Sequence, residues 1–565
     1  MKNEIKNLIK DVLKNLDIET DLDFVVEFSE DLKNGHFYTN VAMVYAKKLA
    51  SNPKELAEKI KEELEKKQNQ EIQKIEVAGA GFINFFLDKE FYIKELRGIV
   101  SRGDNYGKND LHKNKKILVE HSSPNLFKPF HVGHMMNNAI GESIKRLAEF
   151  SGADVTTISF PSDISLGVAK AIFVILEKSP DGNLLKPKIE ILGDAYVDGT
   201  KRYEEDESIH ARVKEIADNL YAEKKDTPEF RAFNVCKEFN IGYFEYLVAK
   251  LGSHFDGYIY ESEAGVRGKE IVLENTPKVF TESEGAIVYI PEEEKKHINT
   301  AVFINSQGNP TYEAKDVGLL DMKFERYNPD LSVFITDHQQ TSHFDVVLDA
   351  CAKIDEDWKE RVGKSVHRTH GRMSFKGQKM SSRLGGVPLA EDLLDVVLED
   401  VREKSPDLDN EAKEKISISA LKFTILKAMA GKNIDFDPAV SLSFEGDSGP
   451  YVQYSGVRAL SVLNKVSQDI DFSKVETNNK DVSQLEVLLV RFPSVVENSI
   501  VAWSPHYIAT YLLQVSQAFN SWYAQNKIID ENNPEMPYNI LVTKSVAQVV
   551  KNGLYLLGIG LPEKM

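Results

Sequence analysis

The sequence predicts an α/β fold in which a mostly parallel sheet forms the centre of the chain, between a small N-terminal α+β unit and a C-terminal all-helical region. Three observations predict it. Between Lys116 and about Gly386, β-forming runs such as VTTISF, AIVYI, AVFIN and LSVFIT alternate with helical patterns, the order typical of parallel sheets. From about Leu389 onward strand signals fade, and amphipathic stretches such as ISISALKFTILKAMA and HYIATYLLQVSQAFNSWYAQ dominate. At 565 residues the chain also exceeds what one hydrophobic core organises.

Taken in order, residues 1–108 open with a charged helical pattern whose apolar positions are Ile5, Leu8, Ile9, Val12, Leu13 and Leu16. It reads as a domain helix, not a signal peptide. LDFVVEFS and GHFYTNVAMVYA are strand and strand-to-helix pieces. NPKELAEKIKEELEKK is an amphipathic helix with Leu56, Ile60 and Leu64 on one face and Pro53 near its start. KIEVAGAGFINFFLD reads as a glycine turn into a strand, and the polar stretch from Ser101 to Lys116 as a linker. The central domain is expected over 109–388, with an insertion around 177–295 whose first part is charged and helical. The helical region then covers 389–565.

Composition narrows the functional classes. Hydrophobic and charged fractions of 42% and 28% are those of a globular protein, and no stretch approaches the roughly 18 apolar residues of a membrane helix. Cys236 and Cys351 are too far apart for a disulfide framework or a cysteine zinc site, which fits a cytoplasmic protein. A net charge of −18 argues against a generic nucleic-acid coat, though not against RNA held on local basic faces.

The chemistry concentrates between Lys116 and Gly152. Ile117, Leu118 and Val119 lead into a polar loop with Ser122, Ser123, Pro124 and Asn125. After Pro129 comes His131-Val132-Gly133-His134, then a helix with Met136, Ile140, Ile144, Leu147 and Ala148 on one face and Gly152 at C′. A helix start offers unpaired N–H groups and the positive end of the macrodipole, a natural seat for phosphate. The histidines add donors one turn apart, and Gly133 leaves room for a planar ring against the backbone. Two histidines could also bind a metal, but no third ligand cluster lies nearby, and HVGH alone fits an ordinary helix start. About 250 residues on, Gly377-Gln378-Lys379-Met380-Ser381-Ser382-Arg383 places a lysine and two hydroxyls on a glycine-flanked loop, suited to clamping a triphosphate. No Walker loop is present.

Together and in this order, HVGH and KMSS resemble the HIGH and KMSKS signatures of class I aminoacyl-tRNA synthetases. VEHSSPN (119–125) with KPFHVGH (128–134) is similar to the arginyl-tRNA synthetase family. So are AGAGFINFFL (78–87), TYEAKD with Tyr312 and Asp316, DHQQTSHF (337–344), GPYVQYSGVRAL (449–460) and the terminal LGIGLPEKM. The resemblance runs collinearly over essentially the whole chain.

That resemblance implies a Rossmann-like catalytic domain between an N-terminal tRNA-contacting domain and a helical stem-contact and anticodon-binding domain. It implies activation of L-arginine by ATP and transfer to the 2′-hydroxyl of the terminal adenosine of tRNA(Arg), with Mg²⁺ carried by ATP and no protein metal site. His131, Gly133, His134, Lys379, Met380, Ser381 and Ser382 would hold ATP, and Lys128 would supply the cation that Ser382 does not. Catalysis would rest on His131, His134, Lys128 and Lys379. Glu120, Ser122, Asn125, His134, Tyr312, Asp316 and Gln340 would hold arginine; from the residues alone, Tyr312 and Asp316 also fit a core tyrosine and a surface carboxylate. Tyr451, Gln453, Tyr454 and Arg458 would serve tRNA. A monomer is expected, since no symmetric interface is legible. In SFPSDISLGVAK (159–170), Ser162 and Ser165 stand where the family usually has glycines. A non-catalytic RNA-binding paralogue is the alternative reading; retention of HVGH, KMSS, Asn125, Tyr312 and Asp316 together argues against it.

Overall fold

The computed structural model describes residues 1–67, 70–184, 187–295, 297–375, 389–467 and 470–565. The chain divides into two compact units: Met1–Gly107 with Ser455–Val495 and Gln514–Asn552, and Lys108–Tyr454 with Val496–Leu513 and Gly553–Met565.

The first unit carries strands β1 (Val26–Phe28), β2 (Phe37–Thr39), β3 (Ile72–Ala78) and β4 (Phe82–Leu87), antiparallel in the order β1-β2-β4-β3. Helices Lys2–Asn15 and Pro53–Lys66 bury their apolar faces on the same core. Asn52 caps the second helix, its Oδ1 accepting from Lys54 N and Glu55 N, with Pro53 at the first helical position. Inside this unit Lys89 Nζ meets Glu486 Oε2 at 2.7 Å, both groups buried.

The second unit is organised by five parallel strands: β5 (Lys116–Glu120), β6 (Asp154–Ser159), β7 (Gly257–Tyr258), β11 (Leu331–Asp337) and β12 (Ser365–His370), ordered β12-β11-β5-β6-β7. Helix Val132–Phe150 crosses from β5 to β6 and ends at Gly152, whose φ of 86° needs no Cβ. Met136, Ile144, Leu147 and Ala148 are buried as the periodicity requires.

AIVYI and AVFIN do not join this sheet. Strands β8 (Thr281–Ser283), β9 (Ala286–Tyr289) and β10 (Ala301–Ile304) form a separate antiparallel sheet. The reason is local: Glu284 and Gly285 take φ of 49° and 79°, a two-residue hairpin turn between β8 and β9, and among the described residues no helical crossover separates β9 from β10. A further short pair, β13 (Met373–Phe375) with β14 (Ile434–Phe436), places a strand in a region that reads as helical from sequence.

The far end of helix Val132–Phe150 is tied to the last segment of the chain. Ser143 Oγ donates to Leu556 O (2.7 Å) and Arg146 Nη1 to Tyr555 O (2.9 Å). Close by, the fully buried Lys422 donates to Leu251 O and Gly558 O, at 2.6 and 2.8 Å.

Candidate active site

A cleft of about 590 Å³ opens at the carboxyl ends of β5, β11 and β12, where parallel sheets place their ligands. Glu120, Thr336, Asp337 and His370 reach it from the strand ends, and His131, Gly133, His134 and Asn137 from the helix after β5. Asn137 fixes the junction: its Oδ1 accepts from Ser122 N and its Nδ2 donates to Ile335 O, both at 2.7 Å.

The two histidines cap their own helix. His131 Nδ1 accepts from His134 N at 3.4 Å, and His134 Nδ1 accepts from His131 N at 3.3 Å, a capping box built from imidazoles. The rings stack with centroids 3.7 Å apart. An accepting nitrogen carries no proton, so each neutral ring bears its hydrogen on Nε2. Burial, and then the charge of Lys128, lowers the pKa of His131 to about 4; burial and the adjacent His131 drive His134 well below its usual value. Both therefore remain neutral Nε2–H donors at pH 7. The ring that Gly133 accommodates is that of His131 itself: a Cβ at 133 would lie 3.0 Å from its Cε1 and Nδ1.

The opposite wall is charged. Tyr312 and Asp316 start helix Tyr312–Tyr327, with Gln340 beside them. Asp316 Oδ2 lies 2.6 Å from His343 Nε2. Glu120 is bound by Lys323 on the same helix. Glu261 Oε2 accepts from Lys315 Nζ (2.7 Å) and Ser162 Oγ (2.9 Å). Asp337 Oδ2 is 3.4 Å from Arg372 Nε. Each carboxylate lining the cleft among the described residues thus has a cation of the chain beside it.

Asn125 lines the cleft and bridges to Ser162 through the main chain. Ser162 and Ser165 have jobs that glycine could not do: Ser162 satisfies Glu261, and Ser165 Oγ accepts from Val168 N to cap helix Leu166–Lys178. Asp163 between them accepts from Lys237 Nζ, Ser262 N and Ser262 Oγ.

Other expected residues lie elsewhere. Ser122 has a φ of 56° and is fully buried, its hydroxyl 2.9 Å from His121 Nδ1, so Ser123 lines the cleft in its place. Lys128 stands outside the lining, its ammonium 4.6 Å from the Tyr196 ring centre. Lys379, Met380, Ser381 and Ser382 lie outside the described residues. Gln453 is fully buried with Nε2 on Gly560 O (2.6 Å), which makes it an interior group rather than an RNA contact. Tyr451 and Tyr454 are half-buried; Arg458 Nη1 donates to Asn520 Oδ1 at 2.6 Å and its guanidinium lies over Tyr523.

Sequence reasoning missed Asn137, Glu261, Lys315, Lys323 and His370 as site residues. Only His370 carries a usable signal, as a polar residue closing a run beside β11 at the ligand-binding edge.

Comparison with known proteins finds three family models along the chain. Residues 95–437 match the model for tRNA synthetases class I (R), catalytic domain; residues 452–565 match the DALR anticodon binding domain; residues 3–87 match the arginyl tRNA synthetase N terminal domain. The arginine–tRNA ligase of Clostridium kluyveri is 31% identical, over 98% of this chain and 99% of that protein. That of Clostridium botulinum strain Alaska E43 is 30% identical over the whole of both. The Thermus thermophilus arginyl-tRNA synthetase structure superposes with a TM-score of 0.80 at 23% identity over the full length of both chains. The Plasmodium falciparum arginyl-tRNA synthetase structure gives 0.83 at 22%, covering 100% of this chain and 99% of that one.

Proposed function

The chain belongs to the arginyl-tRNA synthetase family, and from that premise we propose how its cleft divides the reaction between its two walls. The activity is ATP-dependent activation of L-arginine to arginyl-adenylate, then transfer to tRNA(Arg). The arginine carboxylate is itself the nucleophile, so the protein need only orient reactants and stabilise charge.

The histidine wall takes ATP. His131 and His134 offer Nε2–H donors beside a helix start, and Lys379, Met380, Ser381 and Ser382 bind the pyrophosphate. Mg²⁺ carried by ATP would offset the charge of the triphosphate, with no protein ligand of its own. The donor set fits that role, since the lining carboxylates are already engaged by cations of the chain. The opposite wall takes arginine: Tyr312 and Asp316 hold the guanidinium, with Glu120, Asn125, His134 and Gln340 around the rest. One observation carries this assignment. His343 serves both Asp316 and Glu313, so two carboxylates share one cation where a cationic side chain would end.

Residues 1–108 and 389–565 serve tRNA, with Tyr451, Tyr454 and Arg458 in the latter. The working form is a cytoplasmic monomer. ATP–pyrophosphate exchange with each amino acid, with and without tRNA(Arg), tests the reading. Exchange driven by arginine alone among the amino acids, and lost in Asp316→Asn, supports it; undiminished exchange in that variant refutes the subsite.

A further inference from the structure

The carboxylates assigned to the guanidinium already hold a cation. His343, on helix Thr341–Cys351, sets Nε2 2.6 Å from Asp316 Oδ2 and Nδ1 3.6 Å from Glu313 Oε1. The Phe344 ring stands edge-on to it at 5.1 Å between centroids. Burial disfavours the charged ring, but the hydrogen bonds to Asp316 and then Glu313 outweigh it and raise its pKa to about 9. Two other ionisable groups approach from neighbouring elements. His367 on β12 is held neutral, burial lowering its pKa to about 4, and Lys323 is engaged by Glu120.

An imidazolium and a guanidinium are alike here: both are flat monocations with N–H donors directed in the ring plane. Both address Asp316. Two like charges on one carboxylate, in a partly desolvated cleft, disfavour each other, and only the imidazolium can give up its charge near neutral pH.

We propose that His343 is a specificity-determining residue that releases its proton to solvent as the guanidinium of arginine takes its place on Asp316, so that arginine recognition is proton-linked. The proposal rests on the assignment of Asp316 to the guanidinium. The sign follows from linkage. The free-state pKa lies above that of the complex, so between the two values the free enzyme holds one proton more. Arginine affinity therefore rises with pH, by up to about tenfold per unit, and levels off above about 9.

Calorimetric titration of the full chain with arginine at pH 8, in phosphate and in Tris, reads this directly, because the buffers take up protons with different heats. The wild type should release more than about half a proton per arginine bound. His343→Gln keeps a donor near the Nε2 position and has no proton to lose, so its heats should agree between buffers. Arginine's own α-amino group is mostly protonated at pH 8 and contributes little to the buffer dependence. Buffer-independent heats in the wild type, or equal release by His343→Gln, would overturn the proposal; the wild-type pair of buffers decides even if the variant does not fold. If Asp316→Asn binds arginine like the wild type, the subsite assignment itself fails. If Asp316→Asn loses arginine while wild-type heats match across buffers, only the proton linkage fails.

Discussion

The two walls of the cleft solve opposite electrostatic problems by different means. The wall proposed for ATP contains fixed neutral donors: His131 and His134 accept each other's backbone N–H, and burial holds both neutral near pH 7. The wall proposed for arginine contains carboxylates, each of which has a cation of the chain beside it. The difference teaches where charge is safe. A permanent cation on the wall proposed for ATP would bind ground state and transition state alike, whereas neutral donors add no fixed charge to either. Bare carboxylates on the arginine wall would pay a desolvation penalty in the free enzyme, which internal cations remove.

The contrast can be broken most severely at Asp316. Asp316→Ala leaves His343 with Glu313 alone and the guanidinium without the carboxylate assigned to it. It should lower kcat/KM for arginine about 10³-fold, roughly 4 kcal/mol, with the KM for ATP nearly unchanged in pyrophosphate exchange. Gly133→Ala strikes the other wall: its Cβ forces the His131 ring to tilt. A cost of about 2 kcal/mol, near 30-fold in ATP-dependent exchange, is expected, with arginine KM unaffected.

Acid separates the walls without a mutation. His121, whose pKa burial lowers to about 3, and the two capping histidines are neutral in the fold but protonate near 6.5 when unfolded. The unfolded state then binds more protons, so stability falls as pH drops. Between pH 7 and 5.5 each should cost about 1 kcal/mol in urea denaturation, while the KM for ATP stays flat. Lys128→Ala is the mildest test. Its ammonium rests on the Tyr196 ring and touches the cleft only through its field, so exchange should fall less than about threefold.

The helix that begins at His131 was legible because strand, loop and helix start are adjacent in sequence and each has a local signature. Tyr312, Asp316, Asn125 and Gln340 were legible only through resemblance, which also supplied the order of the domains. What stayed hidden depends on tertiary pairing. Lys323 and Lys315 read as ordinary helix lysines until the fold sets them against Glu120 and Glu261. Ser122 and Ser123 are indistinguishable in sequence, and a single positive φ decides which of them faces the cleft. AIVYI has the composition of a parallel strand, but the hairpin turn between Ser283 and Ala286 sets it antiparallel to Thr281–Ser283. The strand Ile434–Phe436 is too short for any periodicity to register.

The bond from Ser143 to Leu556 joins positions 413 residues apart. Contacts of such separation close late, because the chain between them must first surrender its freedom. The far end of the helix carrying His131 and His134 therefore gains its last ties when the final segment docks. On refolding from denaturant, helical content should return before the ability to bind ATP does. Catalytic competence would then report the completion of folding rather than its onset, and partly folded chains would sequester little nucleotide.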